Sequence, residues 1–143
     1  MPSRPIVVGY IAEPGARAAL LEAADLAKCS GAKLVIVFAY EIPAAYGGGE
    51  TGDYRRALKE IAENATDEAV EQIRDTGLEY EVKLVPKRPV DALLDVAEEE
   101  NAQMIAIGTQ GEHPLTGAIL GSVPHKLLHL SKIPLLVVPG KTD

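Results

Sequence analysis

Apolar residues fall along this chain in two kinds of run. Short, dense blocks stand at Ile6–Ile11, Leu34–Tyr40, Met104–Gly108 and Pro134–Pro139. Runs of this length and density predict strands, and the unbroken one at Leu34–Tyr40 predicts a strand buried on both faces of a parallel sheet. Between them, apolar residues recur at helical spacing. Pro14–Ser30 carries Ala19, Leu20, Ala23, Ala24 and Ala27 on one stripe. Tyr54–Thr76 carries Leu58, Ile61, Ala65, Ala69 and Ile73, and Pro89–Asn101 carries Val90, Leu93, Leu94 and Ala97. A fourth helix is expected over Gly121–Ser131. Pro14 suits a first helical turn, and Gly31 and Gly77 suit stops. Glu79–Val85 alternates polar and apolar, which predicts a strand at a sheet edge. Glu41–Asp53 holds Pro43 and Gly47-Gly48-Gly49 and reads as a long loop of the kind that often serves function.

The order is strand–helix–strand–loop, then three more helix–strand units. Alternation of this kind predicts an α/β fold: a five-stranded, doubly wound parallel sheet with helices on both faces. Right-handed crossovers favour the strand order 3-2-1-4-5. That order reverses direction between the first and fourth strands, and ligands bind there, beyond the carboxyl ends of the strands. No internal repeat or boundary interrupts residues 1–143, so a single domain is expected.

The chemistry-bearing stretch falls at that crevice. After the fourth strand run Gly108-Thr-Gln-Gly111, nine residues, then Gly121-Ser122 at the start of a helix. Glycines allow close backbone approach, and the free N–H groups of a helix start point at whatever sits there. Strand, glycine loop and helix N-terminus make a candidate phosphate site. No lysine follows the glycines as in a P-loop. The alternative is a tight turn that packs strand on helix and holds no ligand.

Composition narrows the ligand. The 143 residues carry a net charge of −7, with 47% hydrophobic residues and 4% aromatic. The core must be aliphatic, and a general nucleic-acid surface is excluded, because that needs a basic face. An anion would be held by local dipoles and a few cations. No apolar run reaches the length of a membrane span, and Met-Pro-Ser-Arg-Pro at the start does not read as a signal peptide. The single Cys29 cannot form an intrachain disulfide and is expected to pack on its helix. Together these features predict a cytoplasmic protein.

Other polar residues have simpler readings. His125 and His129 share a helix face without a third ligand in sequence, so no metal site is expected. His113, Lys126, Lys87 and Arg88 could approach the crevice mouth but read first as surface residues. Ser122 and His125 do not form a triad, and Asp91, Asp95 and the Glu98–Glu100 run read as solvated. No catalytic set emerges, and no enzyme activity is expected.

The chain resembles the universal stress protein family. The spacing G-x2-G-x9-G-[ST] is met by Gly108, Gly111, Gly121 and Ser122. Ile6-Val-Val-Gly9, Arg17-Ala-Ala-Leu20, Pro89-Val-Asp-Ala-Leu-Leu94, Gly121-Ser-Val123 and Leu135-Leu-Val-Val138 agree with the flanking pattern. The resemblance implies a Rossmann-like fold and a stress-response role. It also implies a homodimer formed through the 134–139 strand, further protein partners, and, in one branch, ATP, with Mg where a triphosphate is bound. Members similar to that branch bind cyclic AMP, and others bind no nucleotide; AMP is a further candidate. Carried onto this sequence, Gly108, Gly111, Gly121, Ser122 and Val123 would hold phosphate and ribose. Gly9, Tyr10, Ile11 and Ala39 would wall the adenine, and Ile107 and Gln110 would line the pocket. Two positions depart from the pattern. Ile11 stands where ATP-binding members usually carry Asp, a loss of about 1.5–3 kcal/mol if a charged hydrogen bond is meant. Pro124 stands where a hydroxyl residue often follows Gly-Ser-Val, and it has no N–H to offer.

Overall fold

The computed structural model describes residues 3–10, 14–40, 52–109 and 122–140. Five strands, β1 (Ile6–Gly9), β2 (Leu34–Ala39), β3 (Tyr80–Val85), β4 (Met104–Gly108) and β5 (Leu135–Val138), pair in parallel in the order β3-β2-β1-β4-β5. The helices are α1 (Pro14–Ser30), α2 (Gly52–Ile73), α3 (Pro89–Glu99) and α4 (Ser122–Leu130). A short 3₁₀ turn, Arg74–Thr76, extends α2. The expected α/β architecture, strand order and edge position of β3 are therefore those observed.

Strand alternation divides the core in two. Ile6, Val8 and Tyr10, with Leu34 and Ile36, pack under Ala19, Leu20 and Ala23 of α1 and Ala69 and Ile73 of α2. Val7, Val35, Val37, Ile105 and Ile107 face the other way, against Leu93, Val96 and Ala97 of α3 and Leu127 of α4. Each strand of the centre is buried on both sides, which is why it reads as an unbroken apolar run. Alanine dominates the helix stripes and lets the helices lie close on the sheet.

Helices α1 and α3 stop by the same device. Gly31 (φ 71°) and Asn101 (φ 52°) are left-handed. The next amide then turns back: Ala32 N–H donates to the Ala27 carbonyl at 2.8 Å, and Ala102 N–H to that of Ala97 at 2.9 Å. This closes the last turn and aims the chain into β2 and β4.

Three expectations need correction. Ile61 does not belong to the buried stripe of α2; it is 59% exposed, and among the described side chains of α2 the buried ones are Ala62, Ala65, Thr66, Ala69 and Ile73. A step of three or four from Ala65 reaches both Ile61 and Ala62, and close packing on the sheet selects the smaller side chain. Cys29 is exposed rather than packed, because the α1 stripe passes through Ala27. The acidic run at the C-terminal end of α3 is not simply solvated: Lys83 of β3 pairs with Glu100 at 3.2 Å and lies 4.0 Å from Glu99. The Glu100 hydrogen bond, set against partial desolvation, holds the Lys83 ammonium above its ordinary range. Several ends also shift: β1 stops at Gly9, and α2 starts at Gly52.

Candidate functional site

Beyond the carboxyl ends of β1, β2 and β4 lies a cleft at the point where the strand order reverses. Strand ends supply Gly9, Val37, Ala39, Ile107 and Gly108. The starts of three helices close on it: Gly15 and Ala16 from α1, Pro89 and Leu93 from α3, and Ser122, Val123 and Pro124 from α4. Each helix presents its N-terminus, where unpaired N–H groups and the positive end of the helix dipole favour an anion. Pro89 and Pro124 sit in first turns, where a missing N–H costs little. The β2 and α3 side, Val37, Ala39, Pro89 and Leu93, is apolar. One end of the cleft thus suits a flat apolar group and the other a negative charge. Its cavity volume of about 100 Å³ is below the roughly 300–1,000 Å³ of a full small-molecule site.

Of the residues expected to form the site, Gly9, Tyr10, Ala39, Ile107, Gly108, Ser122, Val123 and Pro124 all line this cleft. Ile11, Gln110, Gly111 and Gly121 lie outside the described residues, as do His113 and most of the Glu41–Asp53 loop. Gly9 faces α3: a Cβ there would stand 3.1 Å and 3.2 Å from the two Leu93 methyls. Tyr10 is 2% exposed, and its side chain belongs to the α1 layer. Its hydroxyl accepts a hydrogen bond from Gln72 Nε2 at 3.2 Å. Arg17 also bonds Tyr10 and forms an ion pair with Glu68. The Tyr10 hydroxyl first, then Glu68, hold its guanidinium above the ordinary arginine range. The Tyr10 ring therefore ties β1 to α1 and α2 as well as bounding the cleft.

The glycine of β4 has a neighbour that sequence reasoning missed. A Cβ on Gly108 would overlap the carbonyl of Gly15, and a Cβ on Gly15 would overlap the Thr109 carbonyl oxygen. The start of α1 thus rests directly on the end of β4, backbone on backbone. Gly15, Ala16, Val37, Pro89, Leu93 and Thr109 were not expected in the site. A glycine inside a helical run costs about 1 kcal/mol relative to alanine, so Gly15 carried a readable signal of close approach. Val37 and Leu93 carried none beyond being apolar.

The cations divide. Lys87 is ion-paired with Asp95, whose carboxylate holds the lysine above its ordinary range. Asp95 is thus not simply solvated. Arg88 stands at the N-cap position of α3 without a side-chain cap bond, and Lys126 is exposed on α4. His125 and His129 are exposed and meet edge to face at 4.8 Å. Among the described residues, no group of three His, Cys, Asp or Glu could hold a metal ion, and no helix is long and apolar enough to cross a membrane.

The universal stress protein family model matches residues 2–139. A universal stress protein of Thermus aquaticus is 32% identical over 134 residues, covering 93% of this chain and 96% of its own. The solved universal stress protein of Archaeoglobus fulgidus in complex with dAMP superposes with a TM-score of 0.72 at 28% identity, covering 96% of this chain and 99% of that one. A universal stress protein solved in complex with cAMP gives a TM-score of 0.65 at 29% identity, covering 99% and 100%.

Proposed function

The chain belongs to the universal stress protein family, and from that premise we propose that it binds an adenine nucleotide in the cleft and acts as a stress-response switch. The observation that carries the reading is the convergence of three helix N-termini beside an apolar wall at the strand reversal. The phosphates would lie against the start of α4, held by Ser122 and Val123 with Gly108, Gly111 and Gly121 of the glycine loop. The base would lie against Gly9, Val37, Ala39, Pro89 and Leu93, with Tyr10 and Ile11 completing the wall. Ile107, Gln110 and Pro124 would line the remainder. A protein of net charge −7 gains nothing from its global field here. Local dipoles must do the holding. Relatives solved with dAMP and cAMP support the ligand class. ATP, with Mg on its phosphates, and AMP fit the same chemistry.

In this reading the protein is one domain, works in the cytoplasm, and is a homodimer joined through the 134–139 strand. It binds rather than catalyses. Nucleotide shifts its conformation only by binding one state more tightly than the other. A second reading, a nucleotide-free interaction module of the same fold, is favoured by Ile11 and Pro124 and by the small cavity.

The test is mass spectrometry of small molecules released from freshly purified protein, followed by titration with ATP, AMP and cyclic AMP. Ser122→Asp sharpens it. An acidic side chain at a helix start stabilises the helix by about 0.3–1 kcal/mol, yet it places a carboxylate where phosphate would sit. The variant should unfold at the same or higher temperature and lose more than about tenfold in affinity. Unchanged affinity would refute the phosphate placement. A wild type that releases and binds no adenine nucleotide would leave the interaction module as the function.

A further inference from the structure

We propose that Thr109 is a positioning residue of the cleft, holding the end of β4 against the start of α1 by locking its own backbone between Gly15 and Gly140. The proposal rests on the nucleotide reading of the cleft. Thr109 is held on three sides. Its N–H donates to the Val138 carbonyl at 3.0 Å. Its Oγ1 accepts from the Gly140 N–H at 3.2 Å. Its carbonyl oxygen lies so near Gly15 that a Cβ there would overlap it. Gly140 closes the junction: a Cβ on it would stand 3.1 Å from Gly15 Cα and 3.2 Å from the Thr109 carbonyl oxygen.

The physical reason is one of order along the chain. β5 ends at Val138, so the Gly140 amide lies past the last strand residue. The Thr109 hydroxyl supplies its partner. Thr109 in turn directly follows Gly108, the last residue of β4, and lines the cleft. A backbone donor serves an anion only within a narrow distance and angle, and groups just behind a site must hold such donors to about half an ångström. Loss of the hydroxyl would free the Gly140 amide and loosen the junction that Gly140 forms with Gly15 and the Thr109 backbone.

Thr109→Val keeps the shape and removes the acceptor, and Thr109→Ser keeps the acceptor. Calorimetric titration with ATP should show Thr109→Val weakened about three- to tenfold, the worth of one neutral hydrogen bond, with Thr109→Ser near wild type. Hydrogen exchange at the Gly140 amide, measured without ligand, should be about tenfold or more faster in Thr109→Val and slow again in Thr109→Ser. Wild-type affinity in Thr109→Val, or equal weakening in Thr109→Ser, overturns the proposal. So does weakened affinity with unchanged Gly140 exchange, which would mean the hydroxyl acts on the ligand directly. Should Thr109→Val fail to fold, Thr109→Ala carries the same comparison. A wild type that binds no adenine nucleotide overturns the underlying reading as well, and is told apart because it fails before any variant is compared.

Discussion

Gly108 looks at first like a glycine kept free for a ligand to approach. The structure gives it another neighbour, since the carbonyl of Gly15 occupies the space a Cβ would need and the Ala16 nitrogen would stand at 3.0 Å. Backbone cannot swing aside as a long side chain can. Gly108→Ala should therefore destabilise the protein by at least the roughly 1–3 kcal/mol typical of overpacking, and urea unfolding without nucleotide would measure it. A variant as stable as wild type would return Gly108 to a ligand role alone. Tyr10 shows the same separation of sequence position from task. It stands next to the cleft in sequence and space, but its hydroxyl is engaged by Gln72 and Arg17.

At the scale of elements, α2 departs furthest from its pattern. Its sequence offers a stripe through Ile61 and another through Ala62, and the sheet takes the alanines. The consequence is opposite sensitivity on adjacent stripes. Ile61→Lys should change stability by less than about 0.5 kcal/mol. Ala69→Leu, at a fully buried position, should cost about 1–3 kcal/mol by overpacking. Thermal unfolding of the two variants side by side checks this, and a costly Ile61→Lys would mean that α2 is rotated in solution. The helix starts matter more for function. α1, α3 and α4 belong to different faces of the sheet, with α1 on one and α3 and α4 on the other. Their first turns nonetheless meet at one end, because each follows or precedes a parallel strand running the same way.

At the scale of the whole molecule, the β5 edge sets how two copies could meet. β5 closes one side of the sheet, and Leu135, Leu136 and Val137 are only partly buried. α4, on the face of Leu135 and Val137, leaves Leu128 56% and Leu130 59% exposed. An apolar unpaired edge invites strand pairing with a second copy. Val137→Lys should shift the proposed homodimer toward monomer in light scattering, with circular dichroism showing the fold retained. An unchanged dimer would place the interface elsewhere.

The order of strands and helices, the sheet topology, the α1 and α3 stripes and the location of the cleft were all legible in the sequence. They follow from local rules: apolar period, glycine and proline punctuation, and the handedness of crossovers. The eight expected site residues that the structure describes line one cleft because the parallel order brings the ends of β1, β2 and β4 and the start of α4 to one end of the sheet. What the tertiary structure alone decided is long-range contact. Gly15 meets Thr109 across most of the chain, and Gly140 meets both from beyond β5. Leu93 covers Gly9, and the choice of Ala62 over Ile61 was made by the sheet. Periodicity states which side of an element is apolar; it does not state what will press against that side, or how closely. That is fixed by packing between elements distant in sequence, and in this protein it is the packing that shapes the cleft.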